Sequence, residues 1–291
     1  MDDLSTKAVL INARVRGWQA RAVNKTAAQN AEQCAGATSG TGSFSQKLFP
    51  QGFPALKRAD AILTVARKVI QSLSVSWDDT GKGRLVPVKN ISALSLRLGQ
   101  CKDDLALAIP PCRDAWPSAM EGARPLLARL FREKDYDPKA LDRFSIAWAY
   151  APVPTADWRV EVSDDVAADM RQSFALAEKA KAEVMVSDLA TRLLRPLQEA
   201  AKTLASPSKV FRDSLICNLR EAVAEIRDLN LTENSELDDL ACRVESSLAN
   251  INPEQLRVDA PLRSQSATTA YYLAADANDL VEMLAPKEDV A

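Results

Sequence analysis

The sequence predicts an α+β fold, predominantly α-helical, with a small antiparallel sheet in the N-terminal half and a long helix and helical bundle in the C-terminal half. Three observations lead there. Glycine is scarce, at 9 residues, while Ala, Leu, Glu, Lys and Arg abound, and that composition favours helix. Period-two alternation is confined to short segments before residue 163, which marks half-exposed strands. Beyond residue 163 apolar side chains recur every three or four positions almost to the end of the chain.

Residues 8–16 (AVLINARVR) alternate, with Val9, Ile11, Ala13 and Val15 on one side and Asn12, Arg14 and Arg16 on the other, as a strand does. Asn24 can cap a short Ala-rich helix that fades at Gly36, and Gly36 to Gly42 reads as a flexible loop. Pro54 opens a helix to about Ser72 with Leu56, Ala59, Ile62, Leu63, Ala66, Val69, Ile70 and Leu73 on one stripe. Two short apolar segments, 75–77 and 85–87, flank a polar turn, after which Asn90 can cap a helix expected to stop at Pro110-Pro111. A further helix is expected over about 118–131, followed by a cap at Asp137-Pro138. Phe144, Ile146, Trp148 and Tyr150 then alternate, as do Trp158, Val160 and Val162, which predicts an aromatic-faced hairpin with its aromatics turned to the core.

Ser163 and the acids after it cap a helix reaching about Ala205. At 1.5 Å per residue it spans roughly 60 Å, so it must protrude, pair as a coiled coil or kink at Pro196. A helix over about 208–228 would place Asn218 in its apolar stripe as a register-fixing polar group, and helices at about 235–250 and 260–284 complete the chain. The expected domains are 1–162, a mixed helix and strand unit, and 163–291, an acidic bundle built on the long helix 163–205.

Charge follows that division. Residues 1–100 hold 14 Lys and Arg against 6 Asp and Glu, residues 101–160 nine against nine, and residues 161–291 14 against 24. A basic first part suits nucleic acid or an acidic protein surface, and the opposed halves also suit head-to-tail contact between copies. No apolar run nears the roughly 20 residues that span a bilayer, and no export-type apolar core follows the start, so a cytoplasmic location and no membrane partner are expected. Five scattered cysteines without a CxxC pair give no zinc or disulfide framework.

With no histidine in the chain, Ser-His-Asp and Cys-His nucleophiles and His-containing zinc sites are excluded. The Asp pairs at 78–79, 103–104, 164–165 and 238–239 do not converge by spacing, since neighbours on a helix point about 100° apart. No catalytic, metal or cofactor site is therefore assigned, and the expected cofactor set is empty. Two candidate sites remain. Arg14, Arg16, Trp18, Arg21, Lys25, Lys57, Arg58, Arg67 and Lys68 combine cations with an aromatic, as nucleic-acid surfaces do. Asp78, Asp79, Lys82 and Arg84 form the most site-like loop, although it lacks calcium-loop and phosphate-loop spacing.

Three stretches taken together resemble a family of bacteriophage and mobile-element proteins, domain of unknown function 3150. They are Ser76-Trp77-Asp78-Asp79-Thr80-Gly81 running to Arg84-Leu85-Val86-Pro87, Phe144 to Pro154, and Phe211-Arg212-Asp213-Ser214-Leu215 through Asn218-Leu219-Arg220 to Leu229-Asn230. Gly17-Trp18 and Leu256-Arg257-x-Asp259 fit as well. The resemblance implies a phage-type origin, a helical fold and a host-cytoplasmic setting, near genes for MoxR-type AAA+ ATPases and von Willebrand A proteins. It brings no catalytic residues. The expected function is a non-enzymatic adaptor or assembly protein acting as a homo-oligomer or on an ATPase-type partner. The alternatives are a nucleic-acid-binding accessory of phage replication, recombination or packaging, and an inhibitor of a host defence system.

Overall fold

The computed structural model describes residues 4–78, 83–154, 164–206 and 210–284. It is 70% helical with one sheet of four strands and another of two, an α+β fold dominated by helices. No described helix is long and apolar enough to cross a membrane. The chain divides into two compact units, one of Met1–Asn12, Gln71–Ile91 and Ala149–Ala291, the other of Ala13–Ile70 and Ser92–Trp148. The division expected at residues 162 and 163 lies outside the described residues, and the two units are interleaved in sequence.

The first unit begins with the single turn α1 (Leu4–Lys7) and the start of strand β1 (Ala8–Arg16). Strands β4 (Val75–Ser76) and β5 (Arg84–Pro87) form a hairpin, Val75 facing Leu85, and β5 pairs antiparallel with β1 from Ala8 opposite Pro87 to Ile11 opposite Arg84. The strand order is β4-β5-β1-β6, where β6 is Ser145–Ala151. The second arm of the expected aromatic hairpin, 158–162, lies outside the described residues.

Helix α6 (Asp164–Leu204) runs 41 residues, as its periodicity predicts. Its C-terminal half buries Met185, Val186, Leu189, Ala190, Leu193, Leu197, Ala200 and Leu204, each no more than 3% exposed. Fully burying a large aliphatic side chain contributes about 1.5–3 kcal/mol, so this stripe dictates the packing around it. Helix α7 (Ser214–Leu229) and helix α10 (Ala260–Met283) cover it, with α8 (Ser235–Val244), a π-helical turn at Glu245–Ala249 and α9 (Pro253–Val258) between them. Arg263, in the first turn of α10, donates to the carbonyls of Thr203 and Leu204 at the end of α6, so the two long helices run antiparallel. Of the three outcomes open to so long a helix, the described C-terminal half pairs.

The second unit contains the end of β1, a two-stranded ribbon of β2 (Arg21–Val23) and β3 (Ser45–Lys47), and helices α2 (Lys25–Ala35), α3 (Pro54–Ser72), α4 (Ile91–Asp114) and α5 (Trp116–Leu127). Asn24 caps α2 by accepting from the Ala27 amide, and Gly36 ends it at φ 66°, a left-handed conformation costly to any other residue. Trp18, Phe49, Phe53, Trp116 and Tyr136 pack as one aromatic cluster, with ring centroids 4.8–6.4 Å apart. The Trp116 indole donates to the Tyr136 carbonyl and the Tyr136 hydroxyl to the Leu48 carbonyl, at 3.2 and 2.6 Å. Burial, then the nearby Asp135 charge, pushes the Tyr136 phenol up to about 12.

Four local expectations are corrected. Helix α4 runs through Pro110 and Pro111 to Asp114. The carbonyls that lose their amide donors belong to Ala106 and Leu107, both exposed, where water can pair with them, while buried Leu105, Ala108 and Cys112 anchor the opposite face. Asn90 is the last residue of a 3₁₀ turn and donates to Asp228 instead of capping α4 through its side chain. Helix α7 starts at Ser214, not 208, so Phe211 is buried ahead of the helix. Asn218 is exposed, because the buried face runs through Leu215, Leu219, Ala222, Val223 and Ile226, about 100° away from it.

These placements separate two substitutions by their effect on urea-induced unfolding. Leu193→Ala, at a fully buried site on α6, should destabilise by about 2–5 kcal/mol. Asn218→Ala should stay within about 0.5 kcal/mol; a larger loss would restore it to the core.

Candidate functional site

Of the site-like loop, Asp78 and Arg84 are described, and both are half-buried. Asp79 and Lys82 lie outside the described residues. Asp78 accepts the Gly83 amide at 3.2 Å and thereby closes the β4–β5 turn. Arg84 is held by other partners. Its guanidinium donates to the Ser74 hydroxyl and carbonyl at 2.7 and 2.8 Å and to the Ser76 hydroxyl at 3.2 Å, and it lies 3.6 Å from Asp188.

Arg84 belongs to a charge network that sequence reading missed. Asp188 and Arg192, one turn apart on α6, pair at 2.8 Å, and Arg192 also meets Glu225 of α7 at 3.1 Å. The Arg192 side chain is only 8% exposed. It further donates to the carbonyls of Gln71 and Ser74, while the Ser76 amide donates to Asp188 at 2.9 Å. Burial alone would raise the Asp188 carboxyl; the Arg192 charge and hydrogen bond, the Ser76 amide and Arg84 outweigh it and hold it below the ordinary carboxylate value. Burial pushes the Arg84 guanidinium down, while Asp188 opposes that. Every member is matched by an opposite charge or a carbonyl. The arrangement therefore ties strand β4 to helices α6 and α7 and presents no group poised for proton transfer. An acid four residues ahead of an arginine on one helix was its only sequence signal.

The nine candidate nucleic-acid residues all fall in the second unit. Arg14 and Arg16 occupy the exposed side of β1, and Lys25, Lys57, Arg58, Arg67 and Lys68 are exposed on α2 and α3. Arg21 is exposed and donates to the Ser45 hydroxyl and carbonyl. Arg67 donates to the Val15 carbonyl at 3.3 Å, which brings the C-terminal part of α3 beside Arg14 and Arg16. Trp18 is set apart from the cations' exposed sides: it stacks on Trp116 at 5.6 Å and 27° and meets Phe49 edge-on.

The first unit carries a groove that sequence reading did not single out. It has a volume of about 860 Å³ and runs between α6 and α10. Ser264, Thr268, Tyr271, Ala275 and Asn278 line one wall at alternating spacings of four and three, and Gln198, Ala201, Lys202 and Ala205 line the other. Ala267 and Ala274 form the floor. Tyr271 and Tyr272 are 66% and 64% exposed and meet edge to face at 5.8 Å. The signal available in sequence was a tyrosine doublet on an otherwise Ala-rich helix. Of the Asp pairs, 103–104 and 238–239 are exposed, and Asp238 accepts from Asn230 beside the start of α8. Compared with family models, with characterised proteins and with solved structures, the chain has no match.

The buried network makes stability depend on pH with a defined sign. Because the folded Asp188 carboxyl titrates below its ordinary value of 3.8, its contribution is present above about pH 4 and is lost as pH falls through the folded value. Asp188→Asn should cost about 1–3 kcal/mol at neutral pH by removing the carboxylate that Arg192, Arg84 and the Ser76 amide share, while Glu225 still faces Arg192. In urea melts, that gap should narrow below about pH 4; a gap constant with pH would contradict the network.

Proposed function

We propose that this protein is a non-enzymatic adaptor or assembly protein of phage type that self-associates through its helical unit or docks there to an ATPase-type partner. The groove between α6 and α10 carries the reading. Its wall residues recur at the four-three spacing with which one helix presents a seam to another. Its alanine floor lets a helix approach closely, and its two exposed tyrosines are the residue type that anchors such contacts at low entropic cost. The wall from Ser264 to Asn278 spans about 21 Å, four turns of a docked helix. The phage-type attribution rests on the resemblance of the three stretches, and the ATPase-type partner on the gene neighbourhood that resemblance implies.

Sedimentation equilibrium tests the self-association arm. The full chain should form a discrete oligomer at micromolar concentration. Ala275→Glu, which adds a charge at an exposed position in the groove, should weaken association by about ten-fold or more, equivalent to about 1.4 kcal/mol. A wild-type chain that stays monomeric, or an oligomer indifferent to Ala275→Glu, would remove the groove from the reading.

A further inference from the structure

Ion pairing is uneven along this chain. In the first unit Lys7, Arg84, Lys89, Arg192, Arg227, Arg243 and Arg257 each meet a carboxylate within 4 Å. Arg113, Arg124 and Arg132 of the second unit do so too. Segment 13–70 differs: it holds nine Lys and Arg against two acids, Glu32 and Asp60. Glu32 is spent on the loop after α2, accepting the Gly40 and Gly42 amides, and those bonds hold its carboxyl below the ordinary value. Among the described residues Arg14, Arg16, Lys57, Arg67 and Lys68 have no carboxylate within ion-pair distance.

These cations also lie close together. Gly17 brings the end of β1 so near α3 that an added Cβ would stand 2.5 Å from Leu63 Cδ1, and Arg67 bonds the Val15 carbonyl between Arg14 and Arg16. Eleven residues separate Lys57 from Lys68, which places them about 20° apart around α3 and about 16 Å along it. A row of that length faces about five nucleotide steps of one strand, at roughly 3.4 Å per step. Trp18, the aromatic that would have supplied base stacking, is held by Trp116 and Phe49.

We propose that segment 13–70 of the second unit binds duplex DNA through its phosphates, without base stacking and without sequence preference. Without a free aromatic the surface lacks a stacking platform, which leaves its cations the phosphates as their main target, and the duplex offers one charge per roughly 1.7 Å of axis, twice that of a single strand. The Asp60 charge acts on Arg67 within the same segment and offsets part of this excess, and a polyanion supplies the rest by releasing its counterions. This surface is separate from the groove and does not depend on it.

Fluorescence anisotropy of the full chain tests the proposal, using a mixed-sequence DNA duplex, its single strand and polyglutamate over a range of salt. The duplex should bind more tightly than either competitor, independent of sequence. Arg14→Ala with Arg16→Ala and Lys68→Ala, all exposed, should weaken duplex binding about ten-fold or more and flatten the log–log salt slope by roughly 3. Lys57→Ala alone should flatten it by about 1, which keeps the test open if the triple variant proves unstable. Ala275→Glu should leave DNA binding unchanged, so failure of the groove and failure of this surface are told apart. Three results would overturn the proposal: triple-variant binding equal to wild type, single strand preferred over duplex, or polyglutamate bound as tightly as duplex at equal salt. The last would reassign the surface to an acidic protein.

Discussion

The apolar stripe on the C-terminal half of α6 is the constraint on which the first unit depends. Leu189, Leu193, Leu197, Ala200 and Leu204 recur at helical spacing and are 0–2% exposed. A helix of this length cannot hide such a stripe by itself, so α7 and α10 are recruited to cover it. The antiparallel course of α10 follows from its anchoring at Arg263, whose guanidinium takes up the free carbonyls at the α6 terminus. The sheet is bound to the same helix from its polar side, since Asp188 and Arg192 hold the β4 backbone and Arg84 of β5. Apolar and charged residues of one helix thus position both a bundle and a hairpin.

Charge is handled differently in the two units. The first unit has 19 Lys and Arg against 29 Asp and Glu, and several of its ion pairs join separate elements, as Arg192 joins α6 to α7 and Arg243 joins α8 to α10. The second unit has 18 against 10, and segment 13–70 supplies seven of that excess of eight. Surface ion pairs contribute little to stability individually, so the unpaired cations of that segment cost the fold little. They remain available to an external anion. The helical groove and the basic surface accordingly draw on separate physics, shape and apolar contact for one, long-range charge for the other.

Elements governed by local periodicity were legible in the sequence. Strand β1 and helix α3 match their expected bounds, and α6 differs by one residue at each end, because alternation, a first-turn proline and an uninterrupted stripe act within a few residues. Local rules misled where a wider context outweighed them. Pro110 and Pro111 sit inside α4 because exposure relieves the missing hydrogen bonds, and Asn218 lies outside the buried face because that face is centred on Leu219, Val223 and Ile226. The Arg84–Asp188–Arg192–Glu225 network was illegible because its members lie up to 141 positions apart, and only the fold brings them together. Of the candidate site residues, the cations could be read as exposed from composition. The fate of Trp18 could not, since its partner Trp116 is remote in sequence.

Amide hydrogen exchange along α6 tests the central role of its stripe most directly. The segment 185–204 should exchange only through global unfolding and rank with the best-protected amides of the first unit, whereas no described residue between 166 and 180 is buried and those amides should exchange through local opening. Equal, low protection along the whole helix would contradict the account, because the stripe would then not be what the first unit is built upon.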